Sequence, residues 1–182
     1  MPTIFSHAVF ASALGSVFRS GRSEKLPLRF WVLTAICSML PDFDVIGFAF
    51  RVPYASMIGH RGITHSLSFS LLIGVAVSFF FFSGIQFSRW KIGSYFAAVT
   101  FSHPVLDMLT NGGLGVALLA PFSNERFFFP WRPIEVSPIG GGFFSERGLA
   151  VIANEGLWIF LPSILIVIAS WLIRKTLMRD SR

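Results

Sequence analysis

All four histidines and three of the four aspartates of this chain lie in four short clusters set in an otherwise apolar sequence. They read Ser6-His7, Pro41-Asp42-Phe43-Asp44, His60-Arg61-Gly62-Ile63-Thr64-His65-Ser66 and Ser102-His103-Pro104-Val105-Leu106-Asp107. Imidazole and carboxylate together are the donor set of a divalent metal of borderline hardness. The candidate ligands are therefore His7, Asp42, Asp44, His60, His65, His103 and Asp107. A single structural ion needs four ligands, so seven candidates suit two divalent ions, with zinc favoured and manganese or iron as alternatives. Two ions about 3.5 to 4 Å apart activate water and clamp the attacking and leaving oxygens of a phosphoester or related ester. Asp44 and Arg61 are the candidate catalytic residues. The planar guanidinium of Arg61 suits developing negative charge, or else it rests at the bilayer interface as an arginine in a short outer loop does.

Other chemistries lack their motifs. There is no His-Glu-x-x-His zinc helix, no Gly-x-Ser-x-Gly nucleophile elbow, and no P-loop or dinucleotide fingerprint despite 16 glycines. Cys37 is the sole cysteine, which excludes an intramolecular disulfide and a thiolate cluster, and it reads as a small buried apolar residue.

The elements that carry these clusters are those of a membrane protein. Apolar residues make up 53% of the chain, charged ones 13%, and the mean hydropathy is +0.68. The apolar residues form blocks at 30–50, 63–85, 92–120 and 156–173, each able to cross a bilayer core of roughly 20 helical residues. A shorter block at 4–18 is either a tilted span or a re-entrant segment. No Lys or Arg precedes it, so it does not read as a cleaved signal. The expected fold is a single all-α, polytopic helical membrane domain over residues 1–182, with four to five membrane helices and a long outer loop.

The net charge of +6 is distributed as topology signals rather than as a nucleic-acid surface. If all five blocks cross, Arg19, Arg22, Lys25, Arg29, Arg89, Lys91, Arg174, Lys175, Arg179 and Arg182 share one side. Arg51, Arg61, Arg126, Arg132 and Arg147 share the other. The richer side is cytoplasmic by the positive-inside rule. His7, Asp42, Asp44, His60 and His65 then fall in the outer half, and His103 and Asp107 near the middle of the fourth block, so all seven groups can meet at one depth.

Spacing sets local demands. His103 and Asp107 are about 40° apart on a helix and share a face, while Pro104 favours a break just before His103. Asp42 and Asp44 diverge by about 200° and His60 and His65 by about 140° on a regular helix, so irregular backbone is expected there. Pro41 could supply it for the first pair, and a loop through Arg61 and Gly62, with a helix capped at Ile63 or Thr64, for the second.

The loop from Pro121 to Ala153 carries Phe127-Phe128-Phe129-Pro130-Trp131-Arg132-Pro133 and Gly140-Gly141-Gly142-Phe143-Phe144. It is either a lid, with Arg126 and Arg132 facing an anionic group above the metals, or an interfacial aromatic belt. Asn154 and Glu155, at the start of the last block, add a supporting hydrogen bond or simply suit a helix N-terminus.

The segment Gly59-His60-Arg61-Gly62-Ile63-Thr64-His65-Ser66, with Pro41-Asp42-Phe43-Asp44, His7 and the pair His103 and Asp107, resembles the YdjM-like family of predicted membrane-bound metal-dependent hydrolases of bacteria and archaea. The resemblance covers most of the chain. It implies a small multi-pass protein of the cytoplasmic (inner) membrane and metal-dependent hydrolysis, without naming a substrate. The expected partner is the lipid bilayer, with a phospholipid or other amphiphile reaching the site laterally; a soluble substrate would instead use a water-filled outer cavity. Two other classes stay open. A metal or ion transporter would continue the polar set toward the cytoplasm, where His, Asp and Glu are scarce, and a metal-stapled scaffold would close the site with four ligands.

Overall fold

In the computed structural model, which describes residues 1–20, 26–83, 88–138 and 140–180, the apolar blocks become six α-helices. These are α1 (Ile4–Ser20), α2 (Leu28–Met39), α3 (Leu67–Phe81), α4 (Arg89–Met108), α5 (Glu146–Glu155) and α6 (Leu161–Asp180). The architecture is all-helical, and among the described residues only two isolated bridges, Thr110 with Ile134 and Val116 with Phe127, pair chain segments in β fashion. Arg22, Lys25, Arg182 and the end of the 63–85 block at Ile85 lie outside the described residues.

Several boundaries move from those expected. A 3-10 helix, Leu40–Phe50, continues α2 without a loop, because Pro41 sits comfortably in its first turn. Helix α3 starts at Leu67, where the Ser66 hydroxyl accepts the Phe69 N–H at 3.0 Å, so the cap is Ser66 and not Ile63 or Thr64. Helix α4 ends at Met108 and does not run to 120, since Leu109 and Thr110 close tight turns onto Leu106 and Asp107 and glycines follow. The last helical stretch begins at Glu146, earlier than 156, and passes through a π-helical turn, Gly156–Phe160, into α6. Asn154 and Glu155 are therefore inside a helix rather than at its start.

Among the described residues two stretches, Leu28–Phe50 and Glu146–Leu177, are long and apolar enough to cross a bilayer, against the four or five expected. Helices α1 and α3 are apolar but shorter, and α4 spends length on Arg89, Lys91, His103 and Asp107. The two long stretches keep only 28% and 17% of their most apolar windows buried, whereas the core helix of a water-soluble domain is mostly covered. Leu71, Leu72, Val75, Phe79 and Phe80 of α3 likewise face outward. So large an apolar surface suits lipid.

One half of the bundle is held by an aromatic cluster. Phe30 of α2 stacks on Tyr95 of α4 at 4.6 Å and packs beside Phe96 and Phe82, while the Thr34 and Tyr95 hydroxyls meet at 2.8 Å. Cys37 is free and buried in the same cluster, as expected. Helices α3 and α4 approach so closely that a Cβ on Gly74 would lie 2.4 Å from the Gly93 carbonyl oxygen and 2.7 Å from Ala97 Cβ. With this half filled by rings, the polar groups of α1, α2 and α4 collect in the other half.

Candidate metal centre

Helix α4 supplies His103 and Asp107 on one buried face. It runs through Pro104 with no break at His103, contrary to expectation. The ring removes only the hydrogen bond to Thr100, and the surrounding helices bury the helix face and hold the chain helical. His103 Nδ1 lies 2.7 Å from the Ser38 carbonyl of α2, so it carries the proton, and Nε2 is left with its lone pair. That nitrogen is 3.2 Å from Asp42 Oδ1.

Asp42 and Asp44 are separated by the irregular backbone that their spacing demanded. Eleven residues of 3-10 helix is long for that geometry, which tends to occur in short runs and to mark functional or strained segments. Asp42 turns to His103, and Asp44 turns to the His60–His65 loop.

In that loop the left-handed residue is Arg61, with φ of 59°, rather than Gly62. Gly62 is needed for space, since a Cβ there would stand 2.1 Å from the Met57 carbonyl oxygen. The tight path turns both His60 and His65 inward. The Arg61 side chain is fully buried, with Nε 3.0 Å from Asp107 Oδ2. Its Nη1 donates to the Gly112 and Leu114 carbonyls and Nη2 to Thr110 Oγ1. The guanidinium thus grips Asp107 and the chain after α4, a positioning posture rather than that of an anion clamp or an interfacial arginine.

Four side chains converge. Asp42, His65, His103 and Asp107 each offer one donor atom within 4.8 Å of the others. His65 Nε2 is 3.6 Å from Asp42 Oδ1 and 3.4 Å from Asp107 Oδ2. His7, from the first turns of α1, stacks on His103 with ring centres 3.6 Å apart, and its Nε2 is 3.8 Å from Asp107 Oδ1. Both nitrogens of His7, both oxygens of Asp42 and of Asp107, and Nε2 of His65 and His103 are buried without a hydrogen-bond partner. Buried polar atoms left this way are costly, and a cation would satisfy one donor atom from each of Asp42, His65, His103 and Asp107, whose Oδ2 is also ion-paired with Arg61 Nε.

Asp44, His60 and His65 form a second group of suitable proximity, but its surroundings differ. Asp44 already accepts from His60 Nδ1 at 2.6 Å, the Arg61 N–H at 3.1 Å and the Thr64 hydroxyl at 2.7 Å. Thr64 Oγ1 in turn meets His65 Nδ1 at 3.1 Å, so Asp44 and Thr64 fix the tautomer that leaves His65 Nε2 free toward the first group. The seven predicted residues are thus all brought together, in two layers: five around the empty-handed donor atoms, and Asp44 with His60 behind His65.

The loop after α4 roofs the site through its backbone. Ala117 N–H donates to the Arg61 carbonyl, Leu67 N–H to Leu118, and Phe129 N–H to Met108. Arg126 binds backbone carbonyls, from Nη1 to His60 and Gly115 and from Nη2 to Tyr54 and Ser56, so it staples the roof and does not face an anion as the lid alternative required. Arg132 is exposed and lies over the Phe128 ring at 4.8 Å. Burial lowers the Arg126 pKa from its ordinary value and raises that of the Tyr54 phenol, which receives the Leu114 N–H.

Sequence reading missed Thr64, Thr110 and the Ser38 carbonyl, which position the predicted residues. Thr64 sits within the His60–His65 segment and was the one with a signal. Glu155 does add a supporting bond: fully buried, it accepts from the Thr3 N–H, from Thr3 Oγ1 at 2.6 Å and from Ser6 Oγ at 2.7 Å, tying the end of α5 to the turn that carries His7.

A family model described as YdjM inner membrane protein matches residues 1–177. The chain belongs to the YdjM family of inner membrane proteins. This YdjM-family chain is also 35% identical, over 96% of its own length and all of the relative's, to inner membrane protein YbcI of Escherichia coli (strain K12). No solved structure matches it.

Proposed function

We propose that this YdjM-family protein is a multi-pass inner-membrane hydrolase that works with one divalent ion held by Asp42, His65, His103 and Asp107, with His7 at its edge. One observation carries the reading: buried donor atoms of Asp42, His65, His103 and Asp107 that lack a hydrogen-bond partner converge on a common volume. Three carboxylates, Asp42, Asp44 and Asp107, gather there with the Arg61 guanidinium paired to Asp107, and a dication suits the remaining carboxylate oxygens. Two imidazoles and carboxylate oxygens favour zinc, with manganese or iron as alternatives. A second ion at Asp44, His60 and His65 would require Asp44 to give up three hydrogen bonds, so one ion is assigned rather than two.

When bound, such an ion acts as a Lewis acid and lowers the pKa of a coordinated water. The protein's own residues orient the site. Arg61 holds Asp107, Asp44 and Thr64 hold the His65 ring, and the Ser38 carbonyl holds the His103 ring. Asp44 and Arg61 are thereby positioning residues. The reaction is hydrolysis of an ester, with a phosphoester or lipid-like substrate favoured because the site lies within an apolar bundle. We assign five crossings, α1, α2 with its 3-10 extension, α3, α4, and α5 with α6, the site lying toward the outer face, as the Lys and Arg distribution supports.

A metal staple without catalysis is the second reading, favoured by the burial of Asp42, His65, His103 and Asp107, none more than 5% exposed. Metal analysis of the purified protein and of His103→Ala, run beside phosphoester, lipid and acyl-ester substrates, separates the two. The expected result is about one ion per chain in the parent, its loss in the variant, and turnover only with metal. Metal-free parent protein would overturn the site, and retained metal with no turnover on any substrate class would favour the staple.

A further inference from the structure

At the opposite end of the bundle, the inward-facing end by the charge distribution, α1, α2 and α6 enclose a cavity of about 150 Å³ that the hydrolase reading does not use. Arg19 of α1 and Arg174 of α6 both line it, with Trp31, Trp171 and the hydroxyl-bearing Ser16 and Ser170. Among the described residues neither arginine has an ion pair, and Arg19 Nε is buried with no hydrogen-bond partner. Two guanidiniums on one small cavity repel unless an anion lies between them, and their planar donors match phosphate oxygens. Lys175, stacked over Trp171 at 5.3 Å, adds a third cation at the rim. Tryptophan rings seat at the head-group level of a bilayer.

Next to the cavity, with Val167 lining both spaces, an apolar groove of about 470 Å³ runs along α1 and α6, with Phe5 and Val9 on one wall and Ile164 and Ile168 on the other. From Arg19 to Phe5 the helix rises about 21 Å, more than the roughly 15 Å half-thickness of a bilayer core, so one acyl chain fits along it. A cationic, tryptophan-framed cavity adjoining an apolar groove is complementary to an amphiphile with an anionic head.

We propose that the α1–α6 groove binds an anionic phospholipid, its phosphate between Arg19 and Arg174 and one acyl chain along Phe5, Val9, Ile164 and Ile168. This site is separate from the metal centre, since Arg19 is about 18 Å along α1 from His7. It holds whether or not the metal centre is catalytic.

Replacing Trp90, Trp131 and Trp158 with Phe leaves Trp31 and Trp171 as the only indole emitters. This protein is reconstituted in phosphatidylcholine vesicles containing increasing amounts of brominated phosphatidylglycerol or brominated phosphatidylcholine, and quenching is compared. The anionic lipid should reach half-maximal quenching at a mole fraction on the order of tenfold lower. With Arg19→Gln and Arg174→Gln added the preference should fall to about one, while millimolar inorganic phosphate leaves it unchanged. Equal quenching by the two lipids, without the arginine substitutions, overturns the proposal even if the substituted protein fails to insert. A preference that survives both substitutions, or one abolished by free phosphate, overturns it as well.

Discussion

Asp44 differs from Asp42 and Asp107 not in chemistry but in what its oxygens touch. Three donors occupy Asp44, whereas Asp42 and Asp107 bury oxygens that no hydrogen bond satisfies. A ligand and a ligand's support should respond differently to the same isosteric change. Asp42→Asn is expected to abolish metal binding, while Asp44→Asn, which keeps the ligand set and loosens His65, should weaken it about 10 to 100-fold. Competition against a chelating dye reads both; equal losses in the two variants would place Asp44 among the ligands.

The elements bring those residues together by close and irregular packing. Gly74 and Gly93 face each other where α3 meets α4, but the two are not equivalent. A Cβ on Gly74 meets the Gly93 carbonyl oxygen at 2.4 Å, whereas a Cβ on Gly93 finds nothing nearer than 3.5 Å. Gly74→Ala should therefore destabilise the bundle by about 1 to 3 kcal/mol, and Gly93→Ala should be close to neutral. Thermal unfolding in detergent tests the contrast, and equal midpoints for the two variants would contradict the packing described. The π-helical turn after Glu155 belongs to the same scale, since it marks where the last helix departs from regular geometry beside the carboxylate that fastens α1.

At the scale of the molecule, the candidate metal centre and the arginine cavity occupy opposite ends of one bundle. Under the proposed topology, the positive-inside rule predicts the arginine end inside and the roofing loop outside. In a Cys37→Ser background, Glu125→Cys should react with a membrane-impermeant maleimide on intact cells, and Lys175→Cys only after permeabilisation. Labelling of Lys175→Cys from outside would invert the topology and move the metal centre to the cytoplasmic face.

The helical character, the membrane setting and the clustering of histidine and aspartate were legible in the sequence, because apolar block length, charge asymmetry and residue type are local properties. His103 and Asp107 could be paired from spacing alone since they share one helix face. Pro41 signalled the irregular turn that separates Asp42 from Asp44, yet nothing local said which of the two would keep free oxygens. That depended on Thr64 and the Arg61 backbone arriving from a distant loop. By residue type Arg61 and Arg126 were open to anion binding or to an interfacial place, and only the path of the chain after α4 showed their Nη donors occupied by carbonyls and Thr110, with Arg61 Nε on Asp107. Sequence determines which groups can bind or ionise, but whether a group is left free depends on contacts between segments far apart in the chain, and tertiary structure alone decides those.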